Sequence, residues 1–264
     1  MSKRIHREVS RRVIYTNRNA TRYAKVESLN TAYKNPRPVI VNHGWPDSQW
    51  SYQMLPQLVV GRINTLLSSG RTLYIPFTGS NFGNDTSTYP VTDGMGQIAF
   101  DDVIDAAELD GFDVTTLDFF STSMGGCDGL NWAWRNPTRV SSMVLFAPFT
   151  DMMATYDTAL AASLGVSAAM LGAFGVASRS ALDTACEDYD PIRNETLLEP
   201  LGPRIRVILL TGDEVIPYAG ANAFYEGIGA DVITSPGSHF YESTQTNYDE
   251  FELAYWFDWH NQYT

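Results

Sequence analysis

The residues best suited to chemistry lie in the run Ser121-Thr122-Ser123-Met124-Gly125-Gly126, which follows an apolar segment. The spacing is that of the nucleophile-elbow pattern G-x-S-x-G, with Ser121 in the place of the first glycine. Small flanking residues permit a sharp turn from strand to helix, and this turn presents the central serine beside the N–H groups of the helix start. Ser121 fits less well, because bulky Phe119 stands two positions before it. The pattern predicts Ser123 as a nucleophile.

A serine hydroxyl needs a base within hydrogen-bond reach and a third group that orients the base. The four histidines of the chain are His6, His43, His239 and His260. His6 lies in a basic stretch, His43 beside a glycine turn and His260 in an aromatic segment. His239 follows a short strand-like run within Pro236-Gly237-Ser238-His239-Phe240, a loop able to carry an imidazole over a sheet edge. We expect His239 to be the base, and the alternative is a histidine that only caps a loop.

The orienting acid should follow the strand that precedes this histidine. There the apolar run 205–211 leads into Gly212-Asp213-Glu214-Val215. Asp213 and Glu214 are adjacent, so backbone direction aims only one of them at His239. We take Asp213 as the acid and Glu214 as a solvated loop charge, with the choice between them open. Asp151, which also follows a predicted strand, is a further candidate.

An oxyanion hole requires two N–H donors aimed at the oxygen on which negative charge develops. Met124, directly after the serine, is expected to supply one at the start of a helix. The second should come from the turn after the apolar run 39–42. Gly44 allows the backbone to come close there and Pro46 has no N–H, so Trp45 is the predicted donor.

The chain order Ser123, Asp213, His239 is that of the α/β-hydrolases, and the sequence resembles this superfamily from about Val39 onward. Ser123-Met124-Gly125-Gly126 is similar to the elbow of esterases, thioesterases and C–C bond hydrolases. Gly212-Asp213-Glu214-Val215 and Gly237-Ser238-His239-Phe240 match the acid and histidine loops of the family. The resemblance implies a serine hydrolase.

Three features of the sequence differ from the relatives it resembles. His43-Gly44-Trp45-Pro46-Asp47-Ser48 resembles the oxyanion turn of epoxide hydrolases and haloalkane dehalogenases, whose nucleophile is an aspartate where this chain has Ser123. Ser121 replaces the usual first glycine, and the acid loop is shorter than the common Gly-Asp-x-Asp form. The motifs match individually only in part, but four of them occur in the family's order.

Composition bounds the class of protein. The 264 residues suffice for one large domain with a buried core, and the net charge of −12 disfavours binding to nucleic acid. Residues 1–25 carry eight Lys and Arg against one Glu, a net +7, which leaves −19 on the rest. This stretch is interpreted as a solvated edge strand or a frayed terminus that lies against the acidic remainder of the chain, with docking to an anionic partner as the alternative.

Cys127 and Cys186 are expected to be free thiols, although one long-range disulfide stays open.

Short β-branched runs alternate with helical patterns, which predicts an α/β fold with a mostly parallel sheet of about eight strands and helices on both faces. The first two strands should form an antiparallel hairpin at one edge. The expected strands are 12–16, 23–27, 38–42, 71–76, 115–120, 142–147, 205–211 and 231–235. The expected helices are 98–109, 127–136, 219–228 and 248–260, and a long loop is expected at 78–96.

We expect one domain over residues 1–264, with residues 149–200 inserted after strand 6 as an apolar helical lid. An ordinary crossover with extra turns is the alternative. The uncharged run Thr158–Ser178 is long enough to span a bilayer, but it lies between strands of one sheet, so we expect no membrane span. Met152 and Met153 of the insertion, with His43 and Gly44, are the expected substrate contacts.

These features predict a serine esterase that acts on a small ester with an apolar acyl or aromatic part, without metal or cofactor. The alternatives are a hydrolase of amide, thioester, lactone or C–C bonds, or a non-catalytic binder. No apolar run of a signal peptide is present, so a cytoplasmic location is expected. The sequence leaves the oligomeric state open.

Overall fold

The computed structural model describes residues 11–18, 21–29, 35–42, 70–76 and 95–239. Within them a single sheet contains β1 (Arg11–Arg18), β2 (Thr21–Ser28), β3 (Val39–Asn42), β4 (Leu73–Pro76), β5 (Leu117–Thr122), β6 (Val140–Phe146), β7 (Ile205–Leu210) and β8 (Asp231–Ser235). The helices are α1 (Met95–Leu109), α2 (Met124–Arg135), α3 (Met152–Ala161), α4 (Val166–Ala173), α5 (Arg179–Ala185), α6 (Glu195–Leu198) and α7 (Tyr218–Gly227). Short 3₁₀ turns lie at Pro137–Arg139, Pro191–Asn194 and Glu199–Arg204.

The eight strands lie in the order β1-β2-β4-β3-β5-β6-β7-β8. β1 pairs antiparallel with β2, and β2 pairs antiparallel with β4. Every other neighbouring pair is parallel, from β4–β3 to β7–β8. The predicted α/β class, the mostly parallel sheet and the hairpin at its edge are confirmed.

The central strands are buried, except for half-buried Thr122 at the end of β5, because helices and connections cover both faces of the sheet. Phe119 of β5 packs between Phe100 of α1 and Trp132 of α2, with ring centroids 5.9 and 5.2 Å away. Phe120, the next residue, is also buried but lies on the opposite face, as the two-residue period of a strand requires. This burial accounts for the continuous apolar runs in the sequence.

A buried ion pair lies at the amino-terminal ends of the central strands. Arg71 precedes β4 and donates to the carboxylate of Asp118 in β5 at 2.7 Å, with both side chains fully buried. Ser142 of β6 donates to the other oxygen of the same carboxylate at 2.6 Å. These contacts link three strands at the edge opposite the carboxyl ends.

Element bounds differ from the sequence-based ones most around the predicted nucleophile. β5 continues to Thr122 rather than ending at residue 120, and α2 begins at Met124 rather than at residue 127. α1 begins at Met95, inside the expected loop 78–96. The rest of that loop and the expected helix 248–260 lie outside the described residues.

The connection between β6 and β7 contains α3, α4, α5 and α6. Apolar side chains from it, among them Met170, Phe174 and Leu182, belong to the same core cluster as the side chains of α2. None of the helices in the described ranges combines the length and hydropathy that a bilayer span requires.

Candidate functional site

Ser123 lies in the bend between β5 and α2, with φ 51° and ψ −128°. Positive φ is uncommon for a residue with a side chain, and such strain persists only when surrounding contacts hold it. Three backbone hydrogen bonds do so. Ser123 donates its N–H to the Phe146 carbonyl at 2.9 Å, and its own carbonyl accepts from Gly126 at 2.9 Å and from Phe149 at 3.0 Å. The end of β6 therefore fixes the bend.

Gly126 allows this bend to lie against the loop that follows β6. A Cβ atom at position 126 would lie 2.4 Å from the Cβ of Pro148, well inside van der Waals contact. The glycine in the sequence pattern is therefore required by close approach to a neighbouring loop.

Three predicted side chains come together at the carboxyl end of the sheet. The Oγ of Ser123 lies 2.9 Å from Nε2 of His239, and Nδ1 of His239 lies 2.8 Å from Oδ2 of Asp213. The side chain of His239 is 10% exposed and that of Asp213 is 2% exposed. The ring of Phe149 stands beside the imidazole, with centroids 6.5 Å apart.

Hydrogen bonding at Asp213 defines the tautomer of the imidazole. Oδ1 of Asp213 accepts from the N–H groups of Val215 and Ile216 at 2.8 and 2.7 Å, so the carboxylate cannot rotate freely. Its Oδ2 faces Nδ1 of His239 and, as a carboxylate oxygen, can only accept there. The proton is therefore on Nδ1, which leaves Nε2 with a lone pair toward the hydroxyl of Ser123.

The expectation that Glu214 is a solvated loop charge is wrong. Its Oε1 accepts from the hydroxyl of Ser238 at 2.6 Å, and its Oε2 accepts from the backbone N–H of His239 at 3.0 Å. Asp213 turns toward the imidazole because its other oxygen is tied to the turn that follows. Glu214 instead accepts from the Ser238 hydroxyl and from the main chain of His239.

The predicted oxyanion donors are only partly described. Met124 is the first residue of α2, so its N–H belongs to the helix-start groups that lack an intrahelical acceptor. Trp45, and with it the expected substrate contacts His43 and Gly44, lies outside the described residues.

A buried polar network beside the bend was not predicted. Asn42, the last residue of β3, donates from Nδ2 to the carbonyl of Gly125 at 3.2 Å and to Oδ2 of Asp128 at 3.4 Å. The hydroxyl of Tyr189 donates to Oδ1 of Asp128. The available signals were an asparagine that ends an apolar strand and an aspartate among the small and apolar residues of the helix that follows the bend.

Met152 and Met153 begin α3, and both side chains are buried. Asp151, the alternative acid, instead caps this helix by accepting from the N–H of Ala154 at 2.8 Å. Asp190 accepts from the N–H of Met152 at 3.1 Å. Both carboxylates therefore bind the N-terminus of α3, and Asp213 is the one that contacts His239.

Neither cysteine is a competing nucleophile. Cys127 and Cys186 are both free and buried. Burial raises the pKa of the Cys127 thiol well above its ordinary value, and burial likewise raises the pKa of Cys186 to about 12. The nucleophilic form of cysteine is the thiolate, which these shifts disfavour near neutral pH. Among the described residues, no three His, Cys, Asp or Glu side chains are grouped as a metal site would require.

Comparisons with known proteins identify the fold family. The sequence matches the family model described as "alpha/beta hydrolase fold" over residues 37–181. No curated protein sequence matches significantly.

Several solved structures are similar in fold at low sequence identity. Est1E from Butyrivibrio proteoclasticus has a TM-score of 0.64 at 15% identity, over 95% of this chain and 99% of its own. A thermostable esterase from Pseudomonas putida has a TM-score of 0.66 at 17% identity, over 97% of this chain and 83% of its own. Carboxyl esterase 2 from the mycorrhizal fungus Tuber melanosporum has a TM-score of 0.63 at 14% identity, over 98% of this chain and 89% of its own. With the family match covering more than half of its length, this chain belongs to the α/β-hydrolase fold family.

Proposed function

We propose that the protein is a serine hydrolase that cleaves carboxylic esters through an acyl-enzyme on Ser123. The observation that carries the proposal is the hydrogen-bonded series from Ser123 to His239 to Asp213, with contacts of 2.9 and 2.8 Å. These are the distances over which a base activates a hydroxyl and a carboxylate orients the base. Membership in a hydrolase fold family and the structural similarity to esterases agree with it.

Each residue has one role in the proposed reaction. Nε2 of His239 removes the proton of the Ser123 hydroxyl while Oγ attacks the acyl carbonyl carbon. The C–O bond to the alcohol then breaks, and His239 returns the proton to the departing oxygen. A water molecule, deprotonated by His239, attacks the acyl-enzyme and releases the carboxylic acid with Ser123 restored. Asp213 stabilises the imidazolium that forms twice in this cycle.

The negative oxygen of each tetrahedral intermediate requires fixed donors. We assign this role to the backbone N–H groups of Met124, at the start of α2, and of Trp45, which follows β3 in the sequence. One such donor contributes about 10²–10³ to the rate. The strained bend at Ser123 supports this arrangement, because it brings the hydroxyl and the first helical N–H groups to the same place. The proposed chemistry uses no metal or organic cofactor.

The substrate is proposed to be a small ester with an apolar acyl or aromatic part. Support comes from the apolar ring of Phe149 beside His239 and from the apolar helices that separate β6 from β7. We interpret residues 149–200 as a lid within a single domain, and we propose Met152, Met153, His43 and Gly44 as substrate contacts. A cytoplasmic location belongs to the same proposal.

Labelling with a fluorophosphonate probe tests the nucleophile. The probe should react with the wild-type protein and fail to react with Ser123→Ala. Ser180→Ala is a matched control, because Ser180 is an exposed serine at the start of α5. The Ser180→Ala protein should react with the probe at the wild-type rate. Equal labelling of wild type and Ser123→Ala would refute the assignment. Absence of labelling in the folded wild-type protein would favour a binding protein without catalysis.

A panel of p-nitrophenyl esters of increasing acyl length tests the bond and the substrate. Turnover should be highest on short to medium acyl chains and absent in Ser123→Ala. Asp213→Asn should keep the fold but lower kcat by about 10⁴, because the amide favours the wrong tautomer of His239. Turnover of amides with none on any ester would contradict the ester assignment while retaining the nucleophile.

A further inference from the structure

The loops that carry Asp213 and His239 lie against each other at the ends of β7 and β8. The ladder between these strands continues past β7, since Thr211 donates to the Ser235 carbonyl at 3.0 Å. One residue further, a Cβ atom at Gly212 would lie 2.7 Å from the Gly237 carbonyl oxygen. Any side chain at position 212 would force the two loops apart. Gly212 therefore allows the two loops to approach each other closely.

Glu214 connects the two loops through both of its carboxylate oxygens. One oxygen accepts from the Ser238 hydroxyl at 2.6 Å and the other accepts from the His239 N–H at 3.0 Å. Hydrogen bonds to an ionised acceptor are about twice as strong as neutral ones. The contact reaches the main chain at the residue that bears the imidazole, so it fixes where the side chain begins.

Asp213 and Glu214 thus act on different parts of His239. Asp213 contacts Nδ1 and sets the tilt and tautomer of the ring. That contact alone does not fix the backbone, because a shift of the loop can be compensated by rotation about the side-chain bonds. The distance from Nε2 to Ser123 depends on both the ring and the loop.

We propose that Glu214 is a positioning residue that holds the histidine loop at the height where Nε2 of His239 reaches the hydroxyl of Ser123. Its effect on catalysis rests on the proposed esterase function, while its effect on the position of His239 does not. The alternative is that Glu214 contributes only to general stability. Misplacement of a catalytic group by about 1 Å can cost about 10² in rate without changing substrate binding.

Two substitutions at this position separate geometry from general stability. In Glu214→Gln the amide oxygen can accept from the His239 N–H and the amide nitrogen can donate to the Ser238 oxygen, since a hydroxyl both donates and accepts. In Glu214→Ala both contacts are lost. Glu226→Gln is the matched control, because it makes the same chemical change at an exposed position of α7.

Steady-state kinetics on a p-nitrophenyl ester give the first readout. Glu214→Ala should lower kcat by about 10- to 100-fold and change KM by less than about twofold. Glu214→Gln should recover most of this loss, and Glu226→Gln should match the wild type. Ser238→Ala keeps the bond from Glu214 to the His239 N–H, so it should lower kcat less than Glu214→Ala does. Wild-type kcat in Glu214→Ala, or a fall in Glu214→Gln as large as in Glu214→Ala, would overturn the proposal.

A readout independent of activity separates this proposal from the esterase function. In protein labelled with nitrogen-15 histidine, the backbone amide signal of His239 is identified by its loss in His239→Asn. Its hydrogen exchange should speed up by about tenfold or more in Glu214→Ala and stay near wild type in Glu214→Gln, since Glu214→Ala removes a hydrogen bond that protects this N–H. If Glu214→Ala does not fold, Glu214→Met, which keeps the length of the side chain but has no oxygen acceptor for the His239 N–H, gives the comparison with Glu214→Gln.

The two readouts have distinct outcomes. A wild-type protein that turns over no ester, but whose His239 amide loses protection in Glu214→Ala, would refute the esterase function and support the positioning role. An active wild-type protein whose His239 amide is unchanged in Glu214→Ala would refute the positioning role alone. If Glu214→Ala loses both kcat and the protection of the His239 amide, and Glu214→Gln recovers both, the two proposals are supported.

Discussion

Asp190 is a buried carboxyl group at the N-terminus of α3, and replacing it with asparagine tests how its ionisation affects stability. Its side chain is almost completely buried, with Oδ1 accepting from the Met152 N–H at 3.1 Å. Among the described residues, Oδ2 has no hydrogen-bond partner, and Nε of Arg193 lies 3.6 Å from it. Asp151 adds a nearby negative charge. The ionised form is therefore poorly solvated.

The size of the effect follows from the pKa of Asp190. Burial, as the largest cause, raises it from the ordinary 3.8 to about 7, against the opposing hydrogen bond from Met152. A difference of about three pKa units corresponds to about 4 kcal/mol. The unfolded chain releases this proton near pH 4, whereas the folded protein keeps it until about pH 7. The contribution of Asp190 to the free energy of unfolding therefore falls as pH rises between about 4 and about 7, and is constant above.

Urea unfolding followed by tryptophan fluorescence at several pH values measures this slope. Asparagine does not titrate and keeps an oxygen for the Met152 N–H, so Asp190→Asn should lose the decline. Its free energy of unfolding should rise relative to the wild type by up to about 4 kcal/mol across the window. Asp188→Asn, an exposed aspartate two residues away, should retain the wild-type slope. Parallel curves for wild type and Asp190→Asn would refute the reasoning.

Two further substitutions test the contacts that hold the bend and the sheet. Gly126→Ala places a methyl group 2.4 Å from the Cβ of Pro148, so it should destabilise the protein by about 1–3 kcal/mol in urea unfolding and slow fluorophosphonate labelling. Wild-type stability and labelling would contradict the close approach. Asp118→Ala removes the carboxylate that pairs with the buried Arg71 and should cost about 3–5 kcal/mol in urea unfolding, while the probe still labels the folded fraction at the wild-type rate. A loss below about 1 kcal/mol would show that Arg71 finds another partner or reaches water.

The strand and helix types were predictable because short β-branched apolar runs alternate with helical patterns along the chain, but the bounds at the bend were not. Ser121 and Thr122 are polar, and Gly125 and Gly126 are weak helix formers, so local propensity ends the strand and starts the helix on the wrong residues. Parallel pairing of Thr122 with Phe146 and the hydrogen bonds at Ser123 decide the true bounds. Tertiary contacts here override local preference.

The fit of Ser121 in the place of a glycine also depends on a partner that the pattern does not include. Ser121 is fully buried at the end of β5, and its Oγ lies 3.0 Å from the position that a Cβ of Gly129 would occupy. The extra side chain on the strand is accommodated by the absence of one on the helix. The six-residue motif from Ser121 to Gly126 does not include Gly129, so the motif alone could not show this compensation.

The choice between Asp213 and Glu214 shows the same limit at closer range. Adjacent residues on a turn point in different directions, and which of them meets the imidazole depends on where the N–H groups of Val215 and Ile216 lie. The sequence could supply the pair and its distance along the chain from His239. Only the folded loop shows that both carboxylates bind the histidine segment, one at the ring and one at the main chain.

The carboxyl and amino ends of the strands carry different kinds of polar contact, and the parallel strands explain why. Ser123, Asp213 and His239 follow β5, β7 and β8, so residues far apart in sequence arrive at one carboxyl edge. The fully buried pair of Arg71 and Asp118 lies at the amino edge, where no predicted site residue is found among those described. Because the edges are a strand length apart, loss of the buried pair should reduce stability without changing the rate at which the folded protein reacts with the probe.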